Sequence, residues 1–264
     1  MVDLLGAFTR PWGMLDYEEA LAHLARVFRL GGLMRNKKKL PISHESSREQ
    51  AQAAVEAARR HGVEIVCFLA SAPAIAQSAE AGAEQFKHCV DLAAAAGIPH
   101  VLTTGVNDGA LRGAYAKALQ IAAPYAAEKG VVIGLKPHGG VTRTGLECRR
   151  FAEEVGLAGF GLWFDPGNFV FYDRLDPAEE VKPMAEYCVG VCLKDCAIKP
   201  DGKPDVMIQP GTGRVDFPAC LRALKDAEFR GPMLFECLGG AEPEEIDANA
   251  RRARSWIEST LAAL

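Results

Sequence analysis

Four charged residues close short apolar runs in the second half of the chain. Lys136 follows Val131-Val132-Ile133-Gly134-Leu135, Asp165 follows Phe160-Gly161-Leu162-Trp163-Phe164, Lys194 ends 189–194, and Glu236 ends 232–236. A charge at the end of an apolar run is half buried, so it needs a partner or a ligand. Carboxylates and ammonium groups gathered in one pocket suit proton transfer, with a carboxylate as the base and an ammonium as the electrophile. Glu236 is the leading base, with pairing to Lys136 as its competing role. Asp165 is a counter-charge for Lys136 or a cap on the Asp-Pro-Gly-Asn turn. Lys136 polarises a substrate oxygen while it stays charged; with too little negative charge around it, its pKa falls and it becomes a base or Schiff-base nucleophile. His138, Asn168, Lys194, Arg10 and Trp12 are expected to contact substrate hydroxyl or anionic groups. A structural ion-pair network is the competing role for Lys136, Asp165, Lys194 and Glu236, and a solvent-exposed loop position is that for His138.

These residues must be held by elements, and the chain alternates regularly between two kinds of segment. Short apolar, β-branched runs are expected as strands at 3–8, 32–35, 63–69, 99–104, 131–136, 160–165, 189–194 and 232–236. Helical spacing is expected near 17–28, 47–61, 75–96, 110–129, 144–155, 177–187, 216–227 and 243–262. Gly62, Gly97 and Gly130 fall just past helical stretches, where a left-handed residue is cheapest as glycine. Asp176-Pro177 reads as an N-cap followed by proline at the first helical position. Eight strand-then-helix units with continuously apolar strands predict an α/β fold, a single (β/α)₈ TIM barrel over residues 1–264. No Gly-rich dinucleotide fingerprint follows the first strand, which disfavours a doubly wound sheet. In such a barrel the site lies at the C-terminal strand ends. Arg10, Trp12, Arg35, Ser71, Thr103 and Thr104 would face it along with the residues above.

Five segments then carry a resemblance. Gly134-Leu135-Lys136-Pro137-His138-Gly139-Gly140, Phe164-Asp165-Pro166-Gly167-Asn168 and Val191-Cys192-Leu193-Lys194-Asp195 come in that order. They precede Gln209-Pro210-Gly211-Thr212-Gly213-Arg214-Val215-Asp216 and Gly231-Pro232-Met233-Leu234-Phe235-Glu236. Together they resemble the C-terminal half of the sugar phosphate isomerase/epimerase superfamily, the xylose-isomerase-like barrels. The resemblance implies an isomerase or epimerase that acts on a small sugar or keto-sugar by removing a proton next to a carbonyl, with a base near the carbon and an electrophile on the oxygen. It also implies a divalent metal (Mn, Mg, Co or Zn) held by Glu, Asp, His and Glu. Asp165 and Glu236 match two of those ligands. Lys136 stands where a carboxylate is expected, and Cys192 where a histidine is expected. Two outcomes follow for the cofactor: a metal on Asp165, Glu236 and Cys192, or none because Lys136 takes a ligand's place. A metal-free lyase or dehydratase on an oxidised sugar and a non-catalytic sugar-binding relative are the alternatives.

Composition sets the outer limits. The 264 residues are 49% hydrophobic and 24% charged, with 30 Lys+Arg against 34 Asp+Glu for a net charge of −4. That balance disfavours a nucleic-acid partner, which would show a basic face. No apolar run approaches a membrane span. Residues 1–6 lack the basic and apolar regions of a signal peptide, so a cytoplasmic location is expected. The eight cysteines follow no zinc or disulfide spacing and are expected as free packing thiols. The expected partner is a small carbohydrate, with a homo-oligomer as a further expectation.

Overall fold

The computed structural model describes residues 4–156 and 158–264. Eight parallel strands close into a barrel: β1 (Leu5–Phe8), β2 (Leu30–Leu33), β3 (Glu64–Leu69), β4 (His100–Thr103), β5 (Val132–Leu135), β6 (Phe160–Phe164), β7 (Cys188–Leu193) and β8 (Met233–Phe235). Closure is made by β1 and β8, with Gly6 opposite Leu234. The outer layer is α1 (Tyr17–Ala25), α2 (Arg48–Arg60), α3 (Ala79–Ala96), α4 (Arg112–Glu128), α5 (Gly145–Val155), α6 (Pro177–Glu180), α7 (Phe217–Asp226) and α8 (Pro243–Ala263). The (β/α)₈ expectation is met. None of the described helices is long and apolar enough to cross a membrane.

Two elements differ from expectation. The second strand begins two residues early, at Leu30, because Gly31 and Gly32 pair with β3 across a register shift. The helix expected over 177–187 stops after one turn at Glu180, and a 3₁₀ turn covers Ala185–Tyr187. Pro183 accounts for the break, since it has no N–H to donate and disfavours helix in the residue before it. Of the first expected strand, Asp3 lies outside the described residues. The local signals hold elsewhere: Gly97 has φ +73° at the end of α3, and Asp176 accepts from the Ala178 N–H.

The apolar residues fall into two layers, as a closed barrel requires. Phe8, Met34, Val66, Cys67, Leu102, Trp163, Cys192 and Leu234 form the cluster inside the barrel. A much larger cluster joins the strands to the helices. Trp163 is the largest side chain inside, and Gly190 on the neighbouring strand makes room for it: a Cβ there would overlap the indole ring. All eight cysteines are unpaired.

His100 starts β4 with its ring edge-on to Trp163, centroids 5.4 Å apart. Its Nδ1 is buried and has no hydrogen-bond partner among the described residues. Burial lowers its pKa from the usual 6.5 to about 4. A histidine with a depressed folded pKa contributes fully above its unfolded value, and that contribution is lost as the pH falls below it. Stability should therefore decline from pH 6.5 downward, by about 3 kcal/mol at pH 4 from this residue alone. Urea titrations of wild type and His100→Phe at pH 7 and pH 4 test this. The stability difference between the two proteins should shift by about that amount in favour of His100→Phe at pH 4; equal losses in both would exclude His100 as the cause.

Candidate active site

The C-terminal strand ends bring Lys136, Asp165, Lys194 and Glu236 together, all 4% exposed or less. Lys136 Nζ lies 2.6 Å from Glu236 Oε2 and 3.4 Å from Asp165 Oδ2. Lys194 Nζ lies 2.7 Å from Asp165 Oδ2 and 3.3 Å from Glu236 Oε1. Arg10 adds a third cation, its Nη1 2.7 Å from Glu236 Oε1 and 2.8 Å from Cys237 Sγ. Asp165 Oδ2 meets both ammonium groups through charge alone, without an aligned hydrogen bond. Two carboxylates are thus shared among three cations.

The local backbone explains the placement. Each strand ends one residue before its charge, so the apolar run is buried and the head group emerges at the barrel mouth. Asp165 starts the turn Pro166–Asn168, and its Oδ1 accepts from the Asn168 N–H at 3.2 Å. Asn168 Nδ2 donates to Pro137 O at 2.6 Å, while its Oδ1 accepts from Lys194 Nζ at 2.7 Å. Both ends of that amide serve the protein. Asn168 and Lys194 therefore form a layer behind the cleft, which runs against the expectation that they touch substrate.

The electrostatics follow from this mutual pairing. Burial disfavours the charge on Lys136, yet Glu236 and Asp165 outweigh it and hold the ammonium above its ordinary range. Lys194 is raised by the same carboxylates against the same burial. Burial alone would raise Glu236, but Lys136, Lys194 and Arg10 bring it well below the usual carboxylate range. The lowered lysine pKa that a Schiff-base nucleophile needs is therefore not met, and Glu236 is a weak base.

Above this floor lies a cleft of about 480 Å³ lined by Arg10, Gly13, Met34, Arg35, Leu69, Thr104, Lys136, His138 and Glu236. His138 is lowered in pKa by burial and by Lys136 and Lys194, which keeps its imidazole neutral at pH 7. Tyr172, on a π-helical turn (Phe169–Asp173), brings its hydroxyl within 2.8 Å of His138 Nε2. Nothing in the spacing of the sequence singled out Tyr172. Its signal is the Phe-Val-Phe-Tyr run directly after Asp-Pro-Gly-Asn.

Trp12 is a correction. It is fully buried, and its Nε1 donates to Asp247 Oδ1 at 3.0 Å. Asp247 also binds Arg26 Nη1 at 2.8 Å and His23 Nδ1 at 3.0 Å. Trp12 thereby docks the turn carrying Arg10 onto α8 and does not face the cleft. Asp195 is likewise structural: it accepts from the N–H groups of Cys196, Gly211, Gly213 and Val215, fixing the loop after β7.

Asp165, Cys192 and Glu236 offer ligand atoms within 4.8 Å of one another, the spacing a metal ion needs. The donor chemistry does not suit a divalent ion. Both carboxylates are already neutralised by fixed cations, and the ammonium of Lys136 would repel a dication in the same desolvated space. Burial raises the Cys192 thiol well above its ordinary pKa, away from the thiolate that ligates.

A sequence profile described as xylose isomerase-like TIM barrel matches residues 31–260. The chain belongs to that family. A search of curated proteins by sequence finds no match. Among solved structures, the fold is similar to D-psicose 3-epimerase from Clostridium cellulolyticum H10, solved with D-tagatose (TM-score 0.76, 14% identity, 97% of this chain and 99% of that one). It is also similar to D-allulose 3-epimerase from Methylomonas sp. in complex with D-allulose (0.74, 20%, 97% and 96%). A xylose isomerase-like TIM barrel protein from Mycobacterium smegmatis in complex with magnesium gives 0.75 at 16% identity, covering 97% of each chain.

Proposed function

We propose that this family member is an isomerase or epimerase of a small keto-sugar that works without a metal. The observation that carries the reading is a fixed ammonium at the cleft floor beside a neutral imidazole. Lys136, held by Glu236 and Asp165, supplies a fixed positive charge that stabilises the negative charge developing on an enolate oxygen. His138 takes the proton from the adjacent carbon, because it lines the same cleft and is unprotonated at neutral pH. This role passes to His138 from Glu236, whose two oxygens are both held by cations. Glu236 and Asp165 then position Lys136 and keep it charged. Tyr172 orients the imidazole through its hydroxyl. The ketohexoses bound in the two epimerase structures point to the same substrate class for this cleft.

The test is hydrogen exchange. In deuterium oxide with EDTA present, proton NMR should show deuterium entering D-fructose or a related ketose next to its carbonyl. His138→Gln and Lys136→Met should each slow that exchange by roughly a hundredfold or more. Exchange that stops on chelation and returns with Mn²⁺ would replace this reading with a metal-dependent one. Absence of exchange across a panel of ketoses, with binding retained, would leave a sugar-binding protein.

A further inference from the structure

The cleft and the layer directly behind it carry more positive charge than their carboxylates can balance. Arg10, Lys136 and Lys194 meet only Asp165 and Glu236, which leaves one positive charge over. Arg35, on the same cleft wall, has no acidic partner within 4.0 Å among the described residues and adds a second. Asp195 is no counter-charge, since four backbone N–H groups hold it in the loop behind β7. Arg10 is anchored through Nη1 alone, and 38% of its side chain remains exposed. Its other guanidinium N–H groups have no protein acceptor among the described residues. Arg10 is thus held rigidly by one edge and open at the other.

We propose that the cleft takes a carbohydrate bearing an oxyanion, a carboxylate or a phosphate, with Arg10 and Arg35 as its anchors. The inference rests on the reading of this cleft as the substrate site. A guanidinium fixed by a buried carboxylate has already lost its rotamer freedom, so binding an anion costs little further ordering. The cleft volume lies within the range that encloses a small molecule. A neutral sugar would leave the surplus charge uncompensated in a partly desolvated pocket. An anionic one completes the balance that a metal-binding relative would set by its ion and ligands.

Calorimetric titration with D-fructose, D-fructuronate, D-fructose 6-phosphate and inorganic phosphate decides this. At least one of the two anionic sugars should bind about tenfold or more tightly than D-fructose, the worth of one charged hydrogen bond. Which of the two it is separates carboxylate from phosphate. Arg35→Gln should cut that preference by about tenfold; as Arg35 is exposed, the variant should fold. D-fructose binding as tightly as both anions, a preference unchanged in Arg35→Gln, or inorganic phosphate matching the sugar phosphate would each overturn the proposal. Deuterium exchange followed on the same ligands keeps the two readings apart. Tight anionic binding without exchange ends the proton-transfer reading alone, and exchange of D-fructose without any anion preference ends this one alone.

Discussion

Replacing Lys136 with methionine should lower the stability of the protein by about 3–5 kcal/mol, the cost of breaking a buried ion pair by removing one partner. Methionine preserves much of the stem's volume, so the loss reports charge more than packing. Glu236 Oε2 would keep no hydrogen-bond partner, since Arg10 and Lys194 both reach Oε1. Asp165 would retain Lys194 at 2.7 Å. The melting temperature should fall by roughly 6–20 °C at this chain length. Pairing Lys136→Met with Glu236→Gln should recover part of that loss, because an uncompensated buried charge is the larger part of the penalty. The pH window follows from the directions of the shifts. Glu236 is depressed, so its contribution is present above the ordinary carboxylate pKa and is lost as pH falls through the lower folded value. Lys136 is raised, so its contribution is present below the ordinary lysine pKa and is lost as pH climbs through the higher folded value. The wild-type advantage should hold across the neutral range. A loss under about 1 kcal/mol would place Lys136 among solvent-screened surface pairs, whatever its apparent burial.

The barrel was legible because a buried parallel strand imposes a continuous apolar run, and each run here stops at a polar residue. Reading the stops gave Lys136, Asp165, Lys194 and Glu236, which the structure brings into one cluster. The depth of each side chain was not legible. Lys194 occupies a strand end as surely as Lys136, and Asn168 closes the turn after another, yet the Asn168 amide turns to Pro137 and draws Lys194 away from the cleft. Trp12 shows the same limit. Its burial depends on Asp247, 235 positions away on α8, a pairing that no local pattern encodes. Tyr172 is not marked by any repeating spacing, because a π-helical turn makes its approach to His138. Composition, motif order and period could say which residues gather, while long-range hydrogen bonds decide which of them face the substrate.

Exchanging Lys136 for glutamate should create a divalent metal site from a donor set that, in the wild-type chain, does not suit one. The ammonium touches both Asp165 and Glu236, two of the three residues whose ligand atoms lie within 4.8 Å of one another. Replacing it with a carboxylate removes one positive charge and adds one negative charge in a desolvated pocket, where charges interact far more strongly than in water. Three carboxylates packed together would raise one another's pKa unless a cation joined them, and Lys194 and Arg10 offer only partial relief. A divalent ion would relieve the remainder and bring the Cys192 sulfur within reach as a fourth donor. With a thiol in the set, Zn²⁺ should be preferred to Mg²⁺. Calorimetric titration should show no saturable Mn²⁺ or Zn²⁺ binding by wild type, and saturable binding by Lys136→Glu that is tighter than the wild-type limit by at least on the order of a hundredfold, about 2.7 kcal/mol. A thermal shift on adding Zn²⁺ to the variant gives an independent readout through linkage. Should Lys194 still exclude the ion, Lys136→Glu combined with Lys194→Met should admit it. Tight binding by the wild-type protein, with no gain in either variant, would mean that Lys136 does not guard the position and that the cluster accepts a metal beside its own ammonium.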